Sequence, residues 1–109
     1  MIFDHRTYVC KPQLLKAHIA LYEKMGAAVQ KKHLGEPLLW ATTDIGDVNS
    51  YVHVWCYKDA GDRAAKRAKL WADPQWLAYV AESNTLGALL SQDNKILVAS
   101  PIMKTPALA

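Results

Sequence analysis

The stretch VNSYVHVWCY, residues 48–57, is the strongest strand signal in the chain. β-Branched and aromatic residues alternate along it, which is typical of a strand whose two faces meet different surroundings. A second run of similar composition, Leu38–Ile45, lies just before it, and Gly46-Asp47 between them suits a tight turn. We therefore predict a β-hairpin over Leu38–Ile45 and Val48–Tyr57.

Two further strands are predicted outside the hairpin. Ile2–Cys10 alternates, so that one face carries His5 and the other carries Arg6. Near the end of the chain, Gln92–Ser100 is centred on the apolar triplet Ile96-Leu97-Val98. One strand therefore precedes the hairpin and another follows it.

Helices are predicted in both intervals between these strands. In the first interval, apolar residues recur every three or four positions and Pro12 suits a first helical turn, so we expect a helix over about 12–33. In the second, Asp59 or Asp62 can cap a helix over about 60–71. Asp73-Pro74 then ends that helix and begins a third, short one.

The element order β-α-β-β-α-β is that of the ferredoxin-like fold, which belongs to the α+β class. This fold has a four-stranded antiparallel sheet with both long helices on one face. A chain of 109 residues fits one domain and can bury a core without metal or disulfide support. We expect a single domain over 1–109, with its core at about 2–100 and a C-terminal tail at 101–109.

The alternation also divides the sheet into two faces. If Val52, Val54 and Cys56 turn toward the helices, the aromatic residues of the same strand lie on the uncovered face. That face would then carry Asp4, Arg6, Tyr8, Trp40, Thr42, Asp44, Asn49, Tyr51, His53, Trp55 and Tyr57. So large an exposed aromatic patch is unusual on a soluble monomer, so we expect another subunit to bury it. The expected assembly is a homodimer or higher homo-oligomer that closes two sheets into a barrel.

Composition and charge argue against several classes of protein. The chain has 13 Lys and Arg against 10 Asp and Glu, a smaller basic excess than a nucleic-acid-binding surface needs. The longest apolar run, Trp76–Ala81, is far shorter than a membrane span, and the N-terminus does not resemble a signal peptide. Cys10 and Cys56 are far apart, so we interpret both as small buried apolar side chains. We expect a cytoplasmic protein with no nucleic-acid or membrane partner.

The sequence contains no phosphate-binding loop, dinucleotide fingerprint, nucleophile elbow or zinc-protease motif. Four histidines, His5, His18, His33 and His53, leave haem ligation open, although a lone histidine is seldom a ligand. We therefore predict no metal site and no cofactor. The basic residues between 58 and 69 are interpreted as the solvated face of a helix.

Several segments together resemble the NIPSNAP family, and the resemblance extends from Ile2 to Ser100. Each segment is short, but their order and spacing are specific. The matching residues are Arg6-Thr7-Tyr8, Lys11-Pro12, Trp40, Thr42-Thr43-Asp44-Ile45-Gly46, Asn49, His53, Trp55, Tyr57, Asp59, Arg63, Asp73-Pro74, Trp76, Asn94 and Ile96-Leu97. Asp4 and Asp44 stand where we expect the family to place glutamate more often, so their carboxylates reach less far.

The resemblance implies a dimeric α+β barrel. Cofactor-independent monooxygenases, haem-degrading monooxygenases and muconolactone isomerases share this fold. The family itself has no agreed chemistry, and its larger relatives are linked to mitochondrial and vesicle-associated interactions. A shared fold does not determine function, so the site has to be argued from its residues.

The predicted site lies on the aromatic face of the sheet. His53 is the candidate general base and Arg6 the candidate anion-binding residue, since a guanidinium can hold a carboxylate or phenolate by two bonds. The candidate ligand-binding residues are Tyr8, Trp40, Thr42, Asp44, Trp55 and Tyr57. Two alternatives stay open: the cluster is a polar dimer interface, or Arg6 only forms an ion pair with Asp4 or Asp44.

The leading hypothesis is a homodimer that binds a small apolar or aromatic molecule between its two sheets. Its candidate chemistry, by analogy of fold alone, is oxygenation of a phenol without a cofactor. In that reaction His53 would remove the phenol proton and Arg6 would stabilise the phenolate. The alternative is a non-catalytic interaction or scaffold protein whose barrel is filled by its own side chains.

Overall fold

The computed structural model describes residues 1–107. Its elements, in chain order, are β1 (Ile2–Cys10), α1 (Leu15–Leu21), a π-helical segment (Tyr22–Gly26), α2 (Ala27–Leu34), β2 (Leu39–Thr42), β3 (Ser50–Tyr57), α3 (Ala60–Ala72), α4 (Pro74–Leu86) and β4 (Leu89–Val98). Within the described residues, no helix has the length and apolar character needed to cross a membrane.

The four strands form one antiparallel sheet in the order β2-β3-β1-β4. The first strand, β1, is central because it pairs with β3 on one side and with β4 on the other. The helices pack on one face of this sheet. The predicted ferredoxin-like α+β fold is therefore confirmed.

The first long helix begins later than predicted. Gln13 has a φ of 74°, and the backbone N–H of Leu14 donates to the carbonyl of Lys11 at 3.1 Å, so a turn separates β1 from the helix. Pro12 lies in this turn and not in the first helical turn. The helix then continues from Leu15 to Leu34 through the π-helical segment.

The hairpin is shorter than predicted because its loop is longer. The backbone N–H of Asn49 donates to the Asp47 carboxylate, and the N–H of Ser50 donates to the Asp47 carbonyl, both at 3.0 Å. These bonds hold residues 43–49 as a loop between β2 and β3. Asp44 consequently lies in an exposed loop, outside the strand in which we placed it.

Two aspartates position the second pair of helices, as the sequence predicts. The Asp59 carboxylate accepts the N–H of Asp62 at 2.8 Å and caps α3. Asp73 ends α3, and its carboxylate accepts the N–H of Gln75 at 2.9 Å and caps α4. This last helix ends at Gly87, which takes the left-handed conformation that glycine tolerates (φ 63°).

The predicted orientation of the sheet faces is wrong. The β1–β3 register pairs Asp4 with Trp55 and Arg6 with His53, so these residues share a face, and that face packs against the helices. We call it the covered face. Val52, Val54 and Cys56 lie on the opposite, open face with the odd-numbered residues of β1.

Side-chain size explains why the aromatic face is the covered one. Trp55 and Tyr57 are fully buried against helix residues such as Leu70 and Tyr79. Tyr51 forms a second cluster nearer the other end of the sheet. Large rings remove more apolar surface from water than valine or cysteine, so placing them beneath the helices stabilises the fold more.

Candidate functional site

A cavity of about 470 Å³ lies between the covered face and the helices of a single chain. Sheet residues form its floor and helix residues form its roof. Its lining includes Arg6, Tyr8, Trp40, Tyr51, His53 and Gln92 from the sheet and His18, Tyr22, Gln30, Arg67, Trp71, Trp76, Tyr79, Ser83 and Asn84 from the helices. This candidate site is built within one chain, and the predicted site between two sheets, which needs a second copy, stays a prediction.

The π-helical segment shapes the roof of this cavity. A side chain at Gly26 would place its Cβ 3.0 Å from the Tyr22 ring and 3.1 Å from the Tyr79 ring. The Tyr22 hydroxyl donates to the Gln30 side chain at 2.6 Å, which fixes the ring across the segment. Glycine at position 26 thus lets the helix and α4 approach closely enough to hold both rings in place.

Stacked aromatic rings form one wall of the cavity. Trp40 stacks on Tyr22 with ring centres 4.9 Å apart and on Tyr51 with centres 4.8 Å apart. The planes of these pairs differ by only 19° and 13°. Nearly parallel rings leave a flat apolar surface that suits contact with another planar ring.

His53 is a hydrogen-bond donor in this site. The Trp55 indole N–H donates to His53 Nδ1 at 2.6 Å, so the ring proton of the neutral imidazole is on Nε2. Burial, together with the nearby Arg6, lowers the pKa of His53 to about 3, although Asp4 acts in the opposite direction. A neutral imidazole with Nδ1 occupied and Nε2 protonated can donate to a ligand but is poorly suited to be the general base that we predicted.

A fully buried carboxylate lies at the β1 side of the cavity. Asp4 accepts bonds from Arg6 at 3.1 Å, from Arg63 at 3.0 Å and from Asn94 at 3.2 Å. Burial alone would raise the pKa of Asp4, but Arg6, Asn94 and Arg63 outweigh it and hold that pKa below its ordinary value. Asp4 is therefore ionised at neutral pH.

Arg6 links this carboxylate to the cavity. Its Nε and Nη2 donate to the Tyr8 hydroxyl at 3.2 and 3.1 Å, while Nη1 donates to Asp4. The ion pair with Asp4 that we considered is present, whereas Asp44 lies in the loop after β2. Nη1 contacts both oxygens of Asp4, whereas Nη2 makes a single bond among the described residues, so one of its two N–H groups is left over.

A second histidine faces the cavity from α1. His18 Nε2 lies 2.7 Å from the Tyr51 hydroxyl, and its Nδ1 is buried without a partner among the described residues. Burial lowers the pKa of His18. The buried indole N–H of Trp76 also has no partner in the described part of the chain. The buried indole N–H of Trp40 and the buried hydroxyl of Tyr57 are in the same situation, and such unpartnered buried polar atoms are rare.

Half of the predicted site residues line the cavity. Arg6, Tyr8, Trp40 and His53 do so. Trp55 and Tyr57 lie behind this lining: the first positions His53, and the ring of the second lies 5.9 Å from the Lys66 ammonium. Thr42 and Asp44 are exposed and do not line the cavity.

The residues missed at the sequence level come mainly from the helices. His18 and Arg67 are examples, and no local pattern places either of them opposite His53. Trp71 and Trp76 also line the cavity and meet edge to face with centres 6.0 Å apart. One sequence signal for these helix residues was available: the apolar stripe of the first helix, which includes Tyr22. A helix in a two-layer fold turns its apolar stripe toward the sheet.

The remaining histidines lie away from the cavity lining. His5 is on the open face, and His33 Nε2 lies 2.8 Å from the Asp73 carboxylate, so His33 has a specific partner in addition to the helix end. Within residues 1–107 no three His, Cys, Asp or Glu side chains are grouped as metal ligands would be. Cys10 is buried and Cys56 is partly buried.

The family model described as NIPSNAP matches residues 3–104. A NipSnap homolog of Dictyostelium discoideum is 32% identical over 97 residues, which are 89% of this chain and 42% of that protein. This chain therefore spans less than half the length of that relative. The solved structure of a NIPSNAP family protein of Agrobacterium tumefaciens is 36% identical, with a TM-score of 0.83 and 94% of each chain covered.

A more distant structural likeness extends beyond these relatives. The structure of an antibiotic biosynthesis monooxygenase superposes with a TM-score of 0.64 over 93% of this chain and 100% of that chain, at 16% identity. At this identity the likeness concerns the fold alone.

Proposed function

This chain belongs to the NIPSNAP family, and from the geometry of its cavity we propose that it binds a small planar aromatic molecule between the sheet and the helices. The observation that carries the proposal is the parallel stack of Tyr22, Trp40 and Tyr51 along one wall. A planar ring can extend that stack, and aromatic pairs contribute about 0.5–1.5 kcal/mol beyond the area they bury.

The size and chemistry of the cavity support the same proposal. Its volume of about 470 Å³ lies within the ~300–1,000 Å³ typical of small-molecule sites. A few polar groups, among them His53 and Arg6, converge on a lining that is otherwise rich in aromatic rings. Such sites bind through apolar contact and orient the ligand through the polar groups.

Binding of 2-naphthol, measured by calorimetry and by tryptophan fluorescence, tests this proposal. Ser83 lines the cavity from α4, so Ser83→Trp should fill it and abolish binding. Thr85→Trp is the matched control, because Thr85 is exposed on the same helix and does not line the cavity. If no aromatic probe binds, or if both variants bind 2-naphthol as the wild type does, the proposal fails and the non-catalytic scaffold hypothesis replaces it.

The open face supports a homodimer as the functional unit. Leu39 and Leu97 on this face are 46% and 40% exposed, and Cys56 is partly buried, whereas Phe3 and Val54 between them are buried within the chain. Two exposed leucines on opposite strands of one sheet face suit a contact with the same face of a second copy, which would cover them. The dimer would then close around the open faces, with one ligand cavity in each protomer.

Phenol oxygenation is a second candidate function, supported by the positive charges beside the aromatic wall. Arg6 and Arg67 favour the anionic form of a bound phenol, so the phenol can give its proton to solvent water at the open side of the cavity without His53 acting as the base. One atom of oxygen would enter the ring, and the other would leave as water with two hydrogens of the substrate. Oxygen uptake with 1-naphthol and simple quinols tests this reaction, and binding without uptake would limit the protein to the binding function.

A further inference from the structure

We infer that the ligand of this cavity is an aromatic carboxylate, with its anionic group held between Arg6 and Arg67. The inference rests on the proposed binding function and adds the class of ligand to it. Two observations carry it: the balance of charge around the cavity and the donors left over on the two arginines.

The charges at this end of the cavity do not balance. Arg6, Arg63 and Arg67 bring three positive charges, and Asp4 brings one negative charge. Asp4 is shared by the first two arginines. Both Arg6 and Arg67 lie close enough to His53 to lower its pKa, so their positive charges act on the same region of the cavity. The region is left with an excess of positive charge that an anionic ligand would neutralise.

Arg67 is the arginine that can bind a ligand most directly. It lies on α3, is half-buried and lines the cavity, yet within residues 1–107 it takes part in no ion pair. The neighbouring Lys66, by contrast, pairs with Asp62 at 3.3 Å. A guanidinium presents its N–H groups as a planar fork that matches the two oxygens of a carboxylate.

Two polar side chains next to Arg6 add donors. The Nε2–H of His53 is one, because Nδ1 is occupied by Trp55. The Tyr8 hydroxyl accepts two bonds from Arg6, which leaves its own proton for a further acceptor. Donors grouped beside Arg6 favour a ligand group that only accepts hydrogen bonds at that place, and an ionised carboxylate is such a group.

A pair of matched probes tests the inference: 2-naphthoate and 2-naphthamide have the same ring system and differ in charge. We expect the carboxylate to bind at least tenfold more tightly to the wild type in calorimetry, because hydrogen bonds to charged groups are stronger than neutral ones. The advantage should shrink as salt is added, since one side of the cavity is open to solvent at the exposed strand β4.

Substitution of Arg67 tests whether this residue causes the preference for 2-naphthoate over 2-naphthamide. Arg67→Gln should weaken 2-naphthoate about tenfold and change 2-naphthamide less than twofold. Lys69→Gln removes the same charge from an exposed position on the same helix, outside the cavity lining, and should change both probes less than twofold. Thermal melting of each variant checks that it folds.

The outcomes separate this inference from the proposed function. If 2-naphthamide binds as tightly as 2-naphthoate, the inference is overturned while the binding function stands. The same holds if Arg67→Gln and Lys69→Gln weaken the carboxylate equally, because the effect is then one of general charge. If neither of these probes nor 2-naphthol binds, the proposed function fails and the inference fails with it.

Discussion

The two faces of β3 differ far more than neighbouring residues in one strand usually do. The covered face presents Tyr51, His53 and Trp55, all buried, whereas the open face presents one buried residue, Val54, between Val52 and Cys56, which are only partly buried. One set of alternate residues builds a core and a cavity, while the other leaves an apolar surface. A single strand therefore serves two purposes, and substitutions one residue apart should have different effects.

Polar residues differ between the faces in the same way. Asp4 on the covered face is fully buried and bonded to two arginines and an asparagine. On the open face, Asp93 is exposed and lies beside His5 and Lys95 in a shallow pocket. Burial gives the first carboxylate a large role in stability, because it cannot lose a partner without leaving charge in the interior.

The largest expected effect follows from that difference. Asp4→Ala leaves Arg6 and Arg63 without their carboxylate and should lower the free energy of unfolding in urea by roughly 3–5 kcal/mol. Asp93→Ala on the open face should change it by no more than about 0.5 kcal/mol. Equal losses in the two variants would contradict the contrast between the faces.

Leucines of similar exposure test whether the open face is an interface. Leu97 on the open face is 40% exposed, and Leu77 on α4 is 46% exposed. In a symmetric dimer each substitution counts twice, so Leu97→Glu should weaken self-association about 100-fold, or ~2.8 kcal/mol, in sedimentation equilibrium. Leu77→Glu should leave the association constant unchanged. A wild-type chain that sediments as a 12.2 kDa monomer at micromolar concentration would remove the dimer altogether.

The two faces of the sheet also show which features could be predicted from the sequence. Alternation identified Arg6, Tyr8 and His53 as members of one face, because a strand has a strict period of two. Aspartates 59 and 73 marked the helix starts through their local bonds to the backbone. These features depend on a few neighbouring residues, and sequence carries them well.

The side on which the helices pack is a different kind of property. It depends on how the aromatic rings of the sheet pack against Tyr22 and Tyr79, and on the close approach of these two rings to Gly26. All three residues are far from β3 in the chain. The protonation of His53 was missed for a more local reason. Trp55 lies two residues away on the same face, so its N–H was within reach of the imidazole. The spacing H-x-W on a strand was the available signal for a donor.

The pH dependence of stability should reflect the burial of His53. The unfolded chain binds a proton near pH 6.5, whereas the folded chain does not until about pH 3. Stability is therefore complete above pH 6.5 and falls as pH decreases, by roughly 2 kcal/mol at pH 5. Burial lowers the pKa of His18 as well, which adds to the loss in the same direction.

Asparagine at position 53 isolates this contribution. His53→Asn keeps an acceptor for the Trp55 N–H and removes the titrating ring, so its unfolding free energy should fall less between pH 7 and pH 5. Urea denaturation at the two pH values measures the difference. If the unfolding free energy of this variant falls as much between pH 7 and pH 5 as that of the wild type, His53 is not the source of the pH dependence.

The smallest expected effect tests how the helices fit the covered face. Gly26→Ala places a methyl group against the rings of Tyr22 and Tyr79 at 3.0 and 3.1 Å, and both rings are buried and packed on each other. The crowding costs roughly 1–3 kcal/mol and outweighs the ~1 kcal/mol that alanine gains in a helix, so we expect a net loss of about 1 kcal/mol. Gly61→Ala meets only Asp59 at 3.4 Å and should be neutral or stabilising. If Gly26→Ala is as stable as Gly61→Ala, the rings have room to move, and the close approach does not hold the cavity in shape.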